Sequence, residues 1–204
     1  MESVLDRVIK QNTENVNLLK TKDYNIFSVL QIQSKEVLIC RMIADLLNPR
    51  GQHGAGAEYL KIFLRDCLGM EKMDTKLADQ AIVTAEYAID DERRIDIVIE
   101  IGSYFLPIEV KIYAADQKSQ CFDYYQYAKR RDAQAKVYYL TLDGHRPGKD
   151  STSSGSQSVP EEDIVCLSFR EHILNWLKAC KNCENIKIVK IQEWFLFWNS
   201  LSRI

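Results

Sequence analysis

Two neighbouring runs, "RIDIVIEI" at 94–101 and "FLPIEVKIY" at 105–113, constrain this chain more than any other stretch. Both are rich in β-branched and aromatic residues, alternate at a period of two, and are separated only by Gly102-Ser103-Tyr104, so they predict a β-hairpin. In the first run Ile95, Ile97 and Ile99 share one face, and Asp96, Val98 and Glu100 share the other. In the second, Ile108, Val110 and Ile112 oppose Glu109 and Lys111. Each strand therefore has one aliphatic face and one in which charge interrupts apolar surface. Paired as a hairpin, the strands bring Asp96 near Glu109. Two carboxylates a few ångströms apart repel unless a proton or a cation stands between them. A hard divalent cation takes oxygen ligands, commonly one or two carboxylates together with a substrate phosphate. Lys111 would then orient or deprotonate an attacking water, or stabilise charge on a phosphate. A solvated sheet face carrying a cross-strand ion pair accounts for the same three residues taken alone.

Further strand-like runs are "AIVTAEYAI" before the hairpin and "KVYYLTL" and "DIVCLSF" after it. Helical patterns cover about 2–19, 34–48, 56–69 and 115–131, and two more close the chain, "REHILNWLKAC" and "KIVKIQEWFLFWNSLS". Ser34 is a suitable N-cap for the second helix and "NPRG" a suitable stop. This order predicts an α/β fold: a mixed central sheet of about five strands flanked by helices, with extra N- and C-terminal helices. The helical crossover between "PIEVKI" and "KVYYLTL" makes those two strands parallel. The 204 residues are expected to form a single domain, 1–204, large enough to bury roughly 70% of its unfolded surface. The segment 143–163, "DGHRPGKDSTSSGSQSVPEED", reads as a mobile surface loop rather than a domain boundary.

Two helices add weight to the carboxylates. At 100° per residue, Cys40, Ile43 and Leu47 fall within about 40° of Glu36, while Arg41, Asp45 and Asn48 lie on the opposite side. Glu36 thus sits in the apolar arc, where an unpaired carboxylate is costly and finds a proton or a cation; the other reading is a first-turn charge that caps the helix. On the helix that follows Lys111, Gln117, Gln120 and Tyr124 are spaced i, i+3, i+7 and share a stripe that emerges near the carboxylates. Amides and a phenol hydrogen-bond a phosphate or a base without adding charge.

Asp96 followed by Glu109-Val110-Lys111 resembles the signature of the PD-(D/E)XK nuclease superfamily. Gln120-Cys-Phe-Asp-Tyr124 resembles the QxxxY motif of its RecB-type members. "SKEVLICRMIADLLNPRGQHG" resembles the N-terminal helix and turn of one bacterial subgroup, in which a glutamate at the place of Glu36 belongs to the active site; "YYLTLDG" and "ILNWLKAC" look like its later landmarks. The proline that usually precedes the motif aspartate is replaced by Ile95. The resemblance implies a restriction-endonuclease-like fold and metal-dependent hydrolysis of phosphodiesters, with DNA as the expected substrate. Asp96, Glu109 and the Val110 carbonyl would hold Mg²⁺ or Mn²⁺, with Glu36 completing the site directly or through water. Lys111 would serve the nucleophilic water, and Gln120 and Tyr124 would support Lys111 or the substrate backbone. A catalytically silent nucleic-acid-binding or assembly module with the same fold is the competing expectation.

Other features constrain less. A net charge of −2 expresses no global preference for nucleic acid. Lys129, Arg130 and Arg131, with Arg93 and Arg94, are candidates to track a phosphate backbone, and equally ordinary ends of a helix and a strand. His53 reads as a turn histidine that could approach a phosphate. Trp176, Trp194, Phe195, Phe197 and Trp198 form stripes suited to a core or to homo-oligomerisation through the C-terminal aromatic helix. The six cysteines are expected to be reduced core thiols; Cys180 and Cys183 have metal-like spacing but lack two further ligands nearby in sequence. No apolar run approaches a membrane span and "MESVLDRVIKQNTENV" has no signal-peptide core, so a cytoplasmic location is expected.

Overall fold

The computed structural model describes residues 35–71, 73–181 and 183. The helix expected at 2–19, the Ser34 cap and the aromatic helix with Trp194, Phe195, Phe197 and Trp198 lie outside the described residues. Three helices come first, α1 (Glu36–Leu47), α2 (Glu58–Asp66) and the short α3 (Thr75–Ala78). Strands β1 (Ile82–Ala88), β2 (Arg94–Ile101) and β3 (Tyr104–Lys111) follow, then α4 (Gln120–Arg131) and β4 (Val137–Thr141). The chain continues through α5 (Lys149–Thr152), β5 (Ser153–Ser154), β6 (Gln157–Ser158) and β7 (Ile164–Ser168), and the last helix among the described residues is α6 (Leu174–Lys181). Among the described residues no helix is long and apolar enough to cross a membrane.

The main sheet has five strands in the order β1-β2-β3-β4-β7. The first three form an antiparallel meander, whereas β3, β4 and β7 run parallel, as the helical crossover requires. This is the mixed sheet of the restriction-endonuclease-like α/β fold. Gly102, at φ 57°, takes the left-handed position that a two-residue hairpin turn needs between β2 and β3. Pro107 lies inside β3 but before its first partner on β4, Ile108 opposite Tyr138, so its missing N–H breaks no ladder there.

Each face of the sheet has its own core. Ile97, Ile99, Leu106, Ile108 and Val110 pack with α1, α2 and α6. Val98, Phe105, Val137 and Tyr139 pack with α4. Trp176 is part of the first core, its Nε1 donating to the Tyr59 carbonyl at 2.8 Å, so it is structural.

Two expected elements differ. Helix α4 starts at Gln120, five residues later than the pattern at 115–131 suggests, because Ser119 adopts a left-handed conformation (φ 57°) that helical backbone cannot continue through. The segment 143–163, expected as a loop, carries secondary structure: α5 and the β5–β6 hairpin pack beside α4, and Ser151 and Val159 are buried. Polar side chains from before the segment satisfy its backbone groups. Ser119 Oγ donates to the Ser153 carbonyl at 2.8 Å, and Asp116 accepts from Gly148 N–H and Tyr139 Oη at 2.7 Å each. Short polar side chains compete well for backbone groups, a pattern that composition alone does not separate from a loop.

Candidate functional site

The register of the β2–β3 hairpin pairs Ile97 with Ile108, which sets Asp96 across from Glu109. The main-chain ladder ends at that pair. Beyond it, Asp96 Oδ2 accepts the Val110 N–H at 2.7 Å, so a side chain takes the place of the missing backbone partner. The carboxylate is thereby fixed in the gap where the two strands part.

Glu109 is 1% exposed, and neither of its oxygens receives a directed hydrogen bond. Lys111 Nζ nevertheless stands 2.6 Å from Glu109 Oε1. The two observations describe one contact, close in charge but unfavourable in angle. Burial raises the Glu109 pKa well above the ordinary carboxylate range, and the Asp96 charge raises it further; Lys111 only partly opposes this. Burial also raises Asp96, against the Val110 N–H and the Lys111 charge. For Lys111, burial favours the neutral amine, but Glu109 and then Asp96 and Glu36 outweigh it, so its pKa is raised. One ammonium thus faces a buried and a half-buried carboxylate, and the cluster lacks a positive charge. Oxygen donors in this setting suit a hard divalent ion. Among the described residues no three His, Cys, Asp or Glu side chains gather as a metal cage, so such an ion would depend on the carboxylate pair, backbone oxygen and water.

Glu36 opens α1, and its Oε1 accepts three consecutive backbone N–H groups, Ile112 at 2.7 Å, Tyr113 at 2.6 Å and Ala114 at 3.0 Å. It is half-buried rather than deep in the apolar arc, and it ties the start of α1 to the chain just beyond Lys111. The same helix brings Cys40 against the cluster: burial, then the charges of Asp96, Glu109 and Glu36, push its thiol pKa up. Periodicity shows Cys40 only as a core residue; its place beside the carboxylates is a tertiary fact.

Gln120 and Tyr124 meet as their spacing predicts, Gln120 Nε2 donating to Tyr124 Oη at 3.0 Å. The tyrosine hydroxyl in turn donates to the Arg94 carbonyl. The pair therefore holds the strand two residues before Asp96 and makes no hydrogen bond with Lys111.

The other candidates make no hydrogen bond or ion pair with Asp96, Glu109 or Lys111 among the described residues. Gln117 precedes α4 instead of sharing its stripe, and its Oε1 accepts from Arg93 Nη1 at 2.8 Å. Arg93 also donates to Asp123 and to the Lys118 carbonyl, which makes it a clamp between β2 and α4. Lys129 pairs with Asp163 at 3.2 Å and Arg131 with Glu100 at 2.7 Å, while Arg130 Nε donates to the Gln126 carbonyl at 3.2 Å. Arg131 also stands over the Phe105 ring, near the start of β3. Lys111 is six residues further along that strand, roughly 20 Å away. These three cations occupy the opposite end of the sheet from Lys111 because α4 runs back along it. His53 is a turn residue: its Nδ1 accepts the Ala55 N–H at 3.0 Å, which leaves Nε2 to donate to the Asn48 carbonyl.

Neither the curated proteins nor the solved structures returned a match. The sequence pattern of the PD-(D/E)XK nuclease superfamily, in contrast, matches residues 24–194, which include both strands of the carboxylate pair, α1 and α4. The match bears on the superfamily and not on the RecB-type subgroup. With a mixed five-stranded sheet and Asp96, Glu109 and Lys111 gathered where β2 leaves β3, the chain belongs to the PD-(D/E)XK nuclease superfamily.

Proposed function

We propose that this protein is a divalent-metal-dependent nuclease that hydrolyses phosphodiester bonds, with DNA as its substrate. The observation that carries the reading is Glu109: a carboxylate sealed from solvent, without a directed donor on either oxygen, across from Asp96 and beside a single ammonium. Asp96, Glu109 and the Val110 carbonyl would hold Mg²⁺ or Mn²⁺. Glu36 would reach the ion through water, since its Oε1 is engaged by three amides. When bound, the ion supplies Lewis acidity toward a water and toward phosphate oxygens.

The side chains supply the rest. Lys111, held charged by Glu109, acts as a donor: it orients the nucleophilic water and stabilises negative charge that grows on the phosphate. A raised pKa suits it poorly to removing a proton. Gln120 and Tyr124 act at one remove, by fixing the Arg94 carbonyl and with it the approach of β2 to Asp96.

The test is cleavage of single- and double-stranded DNA and RNA with Mg²⁺, Mn²⁺ or EDTA, comparing wild type with Asp96→Ala and Lys111→Ala. Metal-dependent cleavage of DNA that both variants lose is expected. Cleavage that persists in either variant, or no cleavage by wild type with any polymer and metal, would overturn the proposal.

A further inference from the structure

The β1–β2 ladder is broken at one place, and that place is Asp96. Ala85 pairs with Ile97 and Tyr87 with Ile95, while Glu86 and Asp96 stand opposite each other outside the pairing. Glu86 has φ 54°, a left-handed conformation inside a strand, and only one other non-glycine among the described residues shares a positive φ. An L residue with a Cβ rarely adopts it, and where it does the surrounding structure must hold it there.

The break has a second signature. Val83 and Ala85 pack on the α1 side of the sheet, whereas Tyr87 packs on the α4 side. Ile97 and Ile99 likewise belong to the α1-side core and Ile95 to the α4-side core. Residues two apart in a regular strand share a face. Both strands therefore swap faces between these positions, in step, at Glu86 and Asp96. Past this point β2 no longer pairs with β3, and the Asp96 carboxylate occupies the gap.

Glu86 is paired with Arg41 on α1, whose Nε and Nη2 both donate to Glu86 Oε2, at 3.1 and 2.5 Å, from an exposed side chain. We propose that Glu86, clamped by Arg41, is a positioning residue: its left-handed backbone breaks the ladder and aims Asp96 at the Val110 N–H and at Glu109. The importance of that aim for catalysis rests on the nuclease reading, but the geometry is observable without it.

Amide hydrogen exchange at Val110 in the metal-free protein reads the geometry directly. In Arg41→Ala and in Glu86→Ala the clamp is lost while the strained backbone still carries a side chain, so the strand relaxes. Val110 exchange is expected to rise about 10-fold or more, with Ile99 protection unchanged as the fold control. Glycine adopts the left-handed conformation freely, so Glu86→Gly, and Glu86→Gly combined with Arg41→Ala, are expected to stay within about 3-fold of wild type. Should Glu86→Ala not fold, Arg41→Ala with and without Glu86→Gly gives the same comparison. Val110 exchange unaffected by Arg41→Ala, or raised equally in Glu86→Gly, would overturn the proposal. A wild type that does not cleave nucleic acid would remove the nuclease reading and leave this exchange pattern to stand or fall alone. If wild type cleaves, kcat is expected to drop with Val110 protection in Arg41→Ala, at unchanged KM, and to recover in the double variant.

Discussion

Lys111 Nζ and Glu109 Oε1 are 2.6 Å apart, with side chains 9% and 1% exposed, while the half-buried Asp96 adds a second negative charge beside them. One positive and one negative charge are withdrawn from water together, and a second negative charge is withdrawn in part. The imbalance, rather than any single contact, has consequences that can be measured.

The first concerns pH. The folded pKa values of Glu109 and Asp96 lie above their unfolded ones, chiefly through burial. The folded protein therefore binds these protons more tightly than the unfolded chain, and metal-free stability falls as pH rises. The loss starts from the ordinary carboxylate range, about pH 4, and continues up through the folded values. Glu109→Gln leaves Asp96 and Lys111 as a neutral pair, so it is expected to flatten this profile. It should also stabilise the metal-free protein at pH 7 by on the order of 1–2 kcal/mol. Thermal melts in EDTA between pH 4 and 9 check both; a variant less stable than wild type at pH 7 would contradict the charge imbalance.

The second concerns the ion. A ligand that binds only the folded state at about 100 times its Kd adds about 2.7 kcal/mol. For a chain of this size that is a rise in Tm of roughly 5–10 °C. Mn²⁺ is expected to produce it in wild type and not in Asp96→Ala. An equal rise in the variant would place the ion elsewhere.

Glu36 separates acceptor from charge. Removing it in Glu36→Ala leaves three backbone N–H groups without their acceptor, at a cost of about 1–3 kcal/mol. Glu36→Gln keeps an amide oxygen and is expected to recover about half of that or more. Urea unfolding gives the energies, and exchange at Ile112, Tyr113 and Ala114 shows where they arise. Equal protection of those amides in Glu36→Ala and wild type would remove the tether.

Tyr124 offers a probe of the α4–β2 contact. Tyr124→Phe keeps the ring but removes the donor to the Arg94 carbonyl and the acceptor of Gln120 Nε2. The loss is expected to be about 1–2 kcal/mol of stability. A fall in kcat of roughly 10-fold at steady KM is expected beside it, because Asp96 would be misplaced while substrate contacts stay intact. A change in KM alone would instead indicate that the hydroxyl touches substrate.

Much of this architecture is written along the chain. Strand alternation, a short turn and a helical crossover are local patterns, and they are enough to find the five strands of the main sheet, to make β3 and β4 parallel, and to bring Asp96 near Glu109. Gln120 and Tyr124 are legible for the same reason, since one helical turn brings i and i+4 together. Gln117 is misread at that level: Ser119 turns left-handed to meet the β5–β6 segment, a demand from 34 residues away. Lys129, Arg130 and Arg131 belong to a helix that begins at the site, yet its length carries them to the far end.

Residue type and period thus determined by themselves the five strands of the main sheet, the β2–β3 hairpin and the parallel course of β3 and β4, and with them the nearness of two carboxylates and an ammonium. Only the tertiary structure decided how those charges are held. The Asp96 carboxylate replaces a backbone partner, Glu36 spends one oxygen on three distant amides, and Arg41 restrains a left-handed Glu86 across from Asp96. The reason is physical: periodicity reports which side of an element is apolar, whereas the partner of a polar group is whichever donor or acceptor the packing of remote segments leaves beside it.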